Sequence, residues 1–230
     1  MKVDLSKYKA DWYKEDPAKN FYPGPVVTIS REMGCEAKKI AALLSDELNR
    51  LKQDRGKDYP WRWISKEILN ESAKVLNVDS DQIQHVFNYK NRNTLEELLL
   101  AQSKDYYTSD LKIRTTIAKV IRTFANNGNT IIVGRGGVAI TRDIPRSLHI
   151  MLEAPLEWRV IRVASKHDLT MEQARNQIIL IDKKRKLFRD YFHGKGTDYT
   201  RFDIKLNCMT LEIDTIVKII VSTLKIRNLI

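Results

Sequence analysis

The residues best suited to binding an anion lie where an apolar stretch passes into a helical pattern. Val26 to Ile29 is a short β-branched run typical of a buried parallel strand, and a turn at Gly34 separates it from the amphipathic segment 37–51. Free N–H groups at a helix start, together with the helix dipole, form a site for negatively charged oxygen atoms. Lys38 and Lys39 add positive charge there. The turn therefore predicts a phosphate-binding loop.

Glu36 is the residue of this turn that opposes phosphate binding. A carboxylate roughly 5 Å from a phosphate charge, at an effective dielectric constant near 20, costs about 3 kcal/mol per unit charge. The same carboxylate would stabilise the helix that follows it by roughly 0.3–1 kcal/mol. In that position the carboxylate would itself occupy the anion site. Two interpretations stay open: a tolerated variant whose charge Lys38 and Lys39 offset, or a pocket blocked by its own acidic group.

A second glycine-rich turn, Gly134-Arg135-Gly136-Gly137, follows the apolar run Thr130 to Val133. Glycines at the carboxyl end of a buried strand mark the place where open α/β sheets bind ligands. We therefore expect Arg135 to contact an anion rather than to lie solvated on the surface.

A basic segment lies between residues 182 and 201. It carries seven basic side chains against three aspartates, and it includes Gly194 and Gly196. Arg185 and Arg189 belong to it. The segment predicts a mobile basic lid, and the alternative is a helix face that is simply solvated.

Short apolar strands alternate with helical patterns along the chain, which is typical of a parallel sheet. The pattern predicts an α/β fold, a three-layer α/β/α sandwich around a five-stranded parallel sheet. The strands are expected at residues 26–29, 61–64, 130–133, 147–152 and 202–206. Residues 1–24 are expected to be an N-terminal extension, because Tyr22-Pro23-Gly24-Pro25 interrupts regular structure. Residues 25–230 then form one domain, with a helical insert at about 65–112 and the lid at about 182–201.

Composition and charge narrow the classes of protein. The chain has 230 residues, 43% of them apolar, and a net charge of +11, so anionic partners are favoured without a choice among them. Cys35 and Cys208 lie far apart and show no metal-ligand spacing, which indicates a reducing, cytoplasmic setting. No apolar run is long enough to cross a membrane, and the polar N-terminus does not resemble a signal peptide.

Three separated segments together resemble the cytidylate kinase-like family, a branch of the P-loop nucleoside monophosphate kinases. They are Ile29-Ser30-Arg31-Glu32-Met33-Gly34, Ile131-Ile132-Val133-Gly134-Arg135-Gly136 and Ala154-Pro155-Leu156-Glu157-Trp158-Arg159. The resemblance implies a P-loop fold with a helical substrate-binding insert and a basic lid, ATP and Mg²⁺ as cofactors, and a nucleotide as substrate. The family's loop has two more glycines, at positions where this chain has Glu36 and Ala37.

The resemblance also implies roles for individual residues. The donor phosphates would be bound by Gly34, Cys35, Ala37, Lys38 and Lys39. The acceptor would be bound by Gly134, Arg135, Trp63 and Ser65. Ser65 also precedes a helical pattern, and its alternative role is the N-cap of that helix. Catalysis would fall to Arg185, Arg189 and Lys38, with no protein metal ligand implied.

The first hypothesis for function is an ATP-dependent kinase acting on CMP or a related nucleotide. The alternative is a catalytically degenerate relative, a pseudokinase or sensor, that binds a nucleotide or another anion through its modified loop. A nucleic-acid-binding module ranks last, because it draws on net charge alone and shows no groove-reading or base-stacking motif. The acceptor base and the oligomeric state are not indicated.

Overall fold

Five parallel strands form one sheet within the residues that the computed structural model describes, which are 24–53, 60–77, 104–193 and 202–230. Their bounds are β1 Val26–Arg31, β2 Arg62–Ile64, β3 Thr130–Val133, β4 Ser147–Glu153 and β5 Ile204–Asn207. The order across the sheet is β2-β3-β1-β4-β5, so the chain leaves β1 first to one side and later to the other. The carboxyl end of β1 is therefore the point where open α/β sheets bind ligands.

Helices cover both faces of the sheet. They are α1 Ala37–Gln53, α2 Glu67–Leu76, α3 Lys104–Asn126, α4 Gly137–Ile140, α5 Leu156–His167, α6 Met171–His193 and α7 Ile213–Ile226. One buried cluster joins the sheet to α1 and α7, and a second joins it to α2, α3 and α4. These layers confirm the predicted α/β/α sandwich. No described helix has the length and apolar character needed to cross a bilayer.

The central strand β1 is buried on both faces, as its apolar run predicts. Val27 and Ile29 face α1 and α7, while Thr28 faces the opposite layer. The hydroxyl of Thr28 lies 2.8 Å from Nδ1 of the buried His149, and the hydroxyl of Ser147 lies 3.0 Å from its Nε2. Both ring nitrogens therefore have partners, so the imidazole is accommodated in the core.

Two glycines meet where the chain enters β1. A Cβ atom added to Gly24 would lie 2.5 Å from the Cα atom of Gly128, which precedes β3. Such a distance is shorter than side-chain carbons adopt, and Gly128 also has a positive φ of 72°. The close approach holds the beginning of β1 beside the turn that leads into β3.

One expectation about a helix boundary needs correction. Ser65 is not the N-cap of α2, since Lys66 occupies that place and the carboxylate of Glu67 instead accepts the N–H of Ser65 at 2.7 Å. The first part of the expected lid, residues 182–193, belongs to helix α6. The rest of the lid (194–201), most of the extension (1–23) and residues 78–103 of the insert lie outside the described residues.

Candidate active site

The turn between β1 and α1, residues 32–36, is the one expected to bind phosphate and is called the phosphate loop here. The first helical hydrogen bond of α1 runs from the N–H of Ile40 to the carbonyl of Glu36 at 3.1 Å. The amides of Lys38 and Lys39 come before this bond and have no acceptor within the helix. The first turn of α1 also contains no acidic residue. These two amides are donors of the kind that the predicted anion site requires.

The carboxylate of Glu36 is held by helix α5 and not by its own helix. Its Oε2 atom accepts a hydrogen bond from Nη2 of Arg162 at 2.7 Å, and its Oε1 atom lies 4.0 Å from Nζ of Lys166. Two cations thus offset the negative charge that opposes phosphate binding. The interpretation in which Glu36 fills the anion site by capping α1 does not describe this geometry.

A groove of about 630 Å³, called here the loop groove, runs between the phosphate loop and α5. All five residues expected to bind the donor phosphates line it: Gly34, Cys35, Ala37, Lys38 and Lys39. Lys38 and Lys39 are exposed, so their ammonium groups are free to follow a ligand. Gly34 has a φ of +99° and lies against the side chain of Arg159.

Arg159 is a buried structural residue that fastens the loop to helix α6. Its Nη1 atom donates to Oδ2 of Asp182 at 2.7 Å and to the carbonyl of Met33 at 3.2 Å, while its Nε lies 3.2 Å from Glu32. Asp182 also accepts the N–H of Met33, through Oδ1 at 2.8 Å. One loop amide is therefore occupied by a carboxylate of the protein itself.

A second cavity, of about 300 Å³, lies at the carboxyl ends of β1 and β3. Four guanidinium groups line this arginine pocket, those of Arg31, Arg135, Arg185 and Arg189. Burial and the neighbouring positive charges, Arg185 first, lower the pKa of Arg31 well below its ordinary value. Burial is likewise the main cause that lowers the pKa values of Arg135 and Arg185. A bound anion would stabilise these neighbouring guanidinium charges, which repel one another.

The turn after β3 presents Arg135 to this pocket through an unusual backbone. Gly134, Arg135 and Gly136 all have positive φ angles, of 72°, 56° and 73°. Glycine adopts such angles readily, whereas for arginine the conformation is strained. A Cβ atom on Gly134 would collide with the guanidinium of Arg31, so a side chain at this position would displace that group from the pocket.

The two cavities share two residues, Arg31 and Arg185, which line both of them. Arg185 is held in place by the carbonyl oxygen of Arg31, which its Nη1 reaches at 3.2 Å. A phosphate chain in the loop groove and an anion in the arginine pocket would thus meet at the same pair of cations. Sequence reasoning gave Arg31 no role, although it follows a buried strand just as Arg135 does.

Trp63 and Ser65 are the expected substrate residues that do not line the arginine pocket. Ser65 is buried and Trp63 packs against the apolar cluster beneath α1, so both belong to the core around β2. The carboxylates nearest the loop are Glu32, Glu36 and Asp182, and each is paired with an arginine. Among the described residues no group of three or more potential ligands surrounds a metal site.

Comparisons with known proteins agree with this fold. The model of the cytidylate kinase-like family matches residues 26–210. An uncharacterized protein from Eubacterium ventriosum ATCC 27560 is similar in structure, with 21% identity and a TM-score of 0.59, covering 87% of this chain and 98% of its own. The shikimate kinase of Bacteroides thetaiotaomicron has 13% identity and a TM-score of 0.50 over the same shares, which shows a common fold. No curated protein matches this chain.

Proposed function

The chain belongs to the cytidylate kinase-like family, and we propose that it transfers the γ-phosphoryl group of ATP to CMP or a related nucleotide. The observation that carries the proposal is the meeting of the loop groove and the arginine pocket at Arg31 and Arg185. Phosphoryl transfer is catalysed mainly by positioning and by neutralising charge on the transferring group. Two anion sites that share their cations suit this requirement.

In this proposal each cavity takes one substrate. The loop groove binds the phosphates of ATP through the amides of the first turn of α1 and through Lys38 and Lys39, with Gly34, Cys35 and Ala37 shaping the loop. The arginine pocket binds the monophosphate of the acceptor through Arg135 beside Gly134. Arg185, Arg189 and Lys38 neutralise the transferring group, and we add Arg31 to this set.

The residues present fit the phosphates of ATP better than they fit a metal ion held by the protein. Mg²⁺ would supply further neutralisation of the phosphate oxygens, and in such sites it keeps several waters and binds largely through phosphate. The carboxylates beside the loop are already paired with Arg159 and Arg162. Trp63 and Ser65 would act on the acceptor base only indirectly, through the packing around β2.

The second candidate is a degenerate relative that binds an anion without turnover. The hydrogen bond from the N–H of Met33 to Asp182 favours it, because this loop amide is not available to a phosphate. Glu36 favours it as well, since a carboxylate remains beside the groove although Arg162 offsets its charge.

Calorimetric titration with Mg-ATP and with CMP, followed by a transfer assay over several nucleoside monophosphates, separates the two candidates. Binding of both ligands with turnover supports the kinase. Binding of CMP or another anion without turnover points to the degenerate relative. The variant Arg135→Ala should weaken CMP binding and leave Mg-ATP binding in place, and unaltered CMP binding would remove Arg135 from the site.

A further inference from the structure

The thiols of Cys35 and Cys208 are in contact, although the two residues are far apart along the chain. Their side chains share a hydrogen bond. Both are partly buried and pack against the same apolar cluster between the sheet, α1 and α7. Cys35 belongs to the phosphate loop and lines the loop groove, while Cys208 directly follows β5.

The sheet explains how these thiols meet. β1 and β5 both pair with β4, so roughly two strand spacings of about 4.8 Å separate them. The phosphate loop crosses the end of β4, where the N–H of Glu32 binds the carbonyl of Leu152 at 3.0 Å. The N–H of Cys208 is fixed from the other side by the carbonyl of Glu153 at 2.9 Å. Cys208 therefore sits on a rigid strand end, and Cys35 on the loop above it.

The surroundings make the two thiols chemically different. The hydrogen bond from Cys35 is the main cause that lowers the pKa of Cys208, and the nearby Arg162 acts in the same direction. Donating that hydrogen bond raises the pKa of Cys35, and burial adds to the effect. A thiolate is the reactive form of cysteine, so the direction of these two pKa shifts favours Cys208 as the attacking sulfur and Cys35 as its proton-bearing partner.

We propose that Cys35 and Cys208 form a reversible disulfide that constrains the phosphate loop under oxidising conditions. The oxidant is a small peroxide, which can reach Cys208 because this thiol is partly exposed. The Cys208 thiolate attacks one oxygen of hydrogen peroxide and breaks the O–O bond, giving a sulfenic acid, while the departing hydroxide takes up a proton to become water. The sulfur of Cys35 then attacks the sulfenic sulfur, loses its proton and releases a second water.

The disulfide would act on the phosphate loop because the S–S bond is short. A disulfide holds its sulfur atoms at about 2.05 Å, which is shorter than any non-bonded contact between them. Since Cys208 is anchored at the end of β5, the loop is the part that must move. Oxidation therefore draws Cys35 toward β5 and restricts the loop whose amides face the groove.

Peroxide treatment followed by peptide mapping without reductant tests the bond itself. We expect a cross-linked pair of peptides containing Cys35 and Cys208, lighter by two hydrogen atoms and reversed by dithiothreitol. In Cys35→Ser, dimedone should instead trap a sulfenic acid at Cys208. Failure to obtain the cross-link from the native protein, while other oxidation products accumulate, overturns the proposal.

Hydrogen exchange tests the effect on the loop without needing any ligand. Amides of residues 31–41 should exchange at least about tenfold more slowly after oxidation, because the cross-link limits local opening. Cys208→Ser, the matched control, should show no response to peroxide. Unchanged exchange in the cross-linked protein contradicts the switch.

Titration with Mg-ATP then tests whether oxidation changes binding in the loop groove. Oxidation should weaken the binding of Mg-ATP about tenfold in the native protein and should not change it in Cys208→Ser. Equal affinity of the native protein in both redox states also contradicts the switch. A reduced protein that fails to bind Mg-ATP would count against the proposed kinase function, whereas the exchange experiment would still decide the redox proposal.

Discussion

Asp182 binds the backbone N–H of Met33 at 2.8 Å, so a carboxylate of helix α6 is part of the phosphate loop. Its second oxygen holds the buried guanidinium of Arg159. The same helix carries Arg185 and Arg189 to the arginine pocket. The loop and the cationic face of α6 are thus fixed relative to each other through one side chain.

Asp182→Ala should destabilise the protein by about 2–4 kcal/mol, because it leaves the buried Arg159 with only Glu32 as an acidic partner. Asp182→Asn should cost less, since its amide oxygen still accepts the N–H of Met33. Urea unfolding at neutral pH measures both changes. Glu157→Ala, which breaks the exposed pair of Glu157 with Arg175 on the same two helices, should leave the unfolding midpoint unchanged. An equal effect of Asp182→Ala and Glu157→Ala would contradict the role of Asp182.

Glu36→Gln should raise the affinity for Mg-ATP by roughly 3–10-fold. The variant removes a negative charge beside the groove and frees Arg162, but the existing ion pair already offsets part of the full Coulomb cost. Calorimetry at low ionic strength measures the change. Glu47→Gln on α1, about 16 Å along the helix axis from Glu36, is the control and should have no effect. A lower affinity in Glu36→Gln would show that the pair with Arg162 shapes the groove.

Arg31→Lys should weaken the binding of both Mg-ATP and CMP, because Arg31 lines both cavities. Losing one bidentate, charge-assisted contact between a guanidinium and a phosphate should lower the affinity by about 10–100-fold. Arg189→Lys should weaken CMP binding alone, since Arg189 lines only the arginine pocket. If both variants affect the two ligands alike, the assignment of separate cavities to donor and acceptor is wrong.

Arg135→Gly should separate stability from binding. Glycine adopts the φ of 56° without strain, so the variant should be more stable by about 1 kcal/mol while losing anion affinity. Thermal unfolding and CMP titration measure the two effects. Asn77→Gly relieves a similar φ of 54° at the end of α2 and should leave CMP binding unchanged. A loss of stability in Arg135→Gly would mean that the arginine side chain stabilises the turn.

His149 should make the protein sensitive to mild acid. Burial lowers its pKa to about 4, with Arg227 adding to the shift and Asp203 opposing it. Because the unfolded chain takes up this proton near pH 6.5, stability is full above that pH and falls by about 1.4 kcal/mol per pH unit down to pH 4. Urea unfolding between pH 4 and 7 should show a shallower decline in His149→Gln. Parallel declines in both proteins would exclude His149 as the cause.

The fold was largely predictable because its signals are local. β-Branched runs and turn residues located the strands, and β3 was expected at the residues where it is found. Regular helical spacing did the same for α1. Ser65 was mistaken for an N-cap because a serine before a helical pattern is indistinguishable in sequence from one whose N–H binds a nearby glutamate.

The site was less predictable because its decisive contacts join distant segments. The loop residues follow from their position after β1, but nothing in the sequence pairs Glu36 with Arg162 or Met33 with Asp182. Arg159 and Arg162 are three positions apart on one helix, a spacing that pairs of surface residues also show. Only the tertiary structure shows that Arg159 is buried. The thiol contact of Cys35 with Cys208 is hidden for the same reason.

Gly24 and Gly128 impose a constraint that has nothing to do with catalysis. The backbone of each glycine occupies the space that a Cβ atom on the other would need. Because no residue is smaller than glycine, a substitution at one position cannot be compensated by a change at the other. Natural variants that keep this junction should therefore retain both glycines, even in lineages that have lost the arginines. The pair would serve as an evolutionary marker of the architecture, independent of what the protein does.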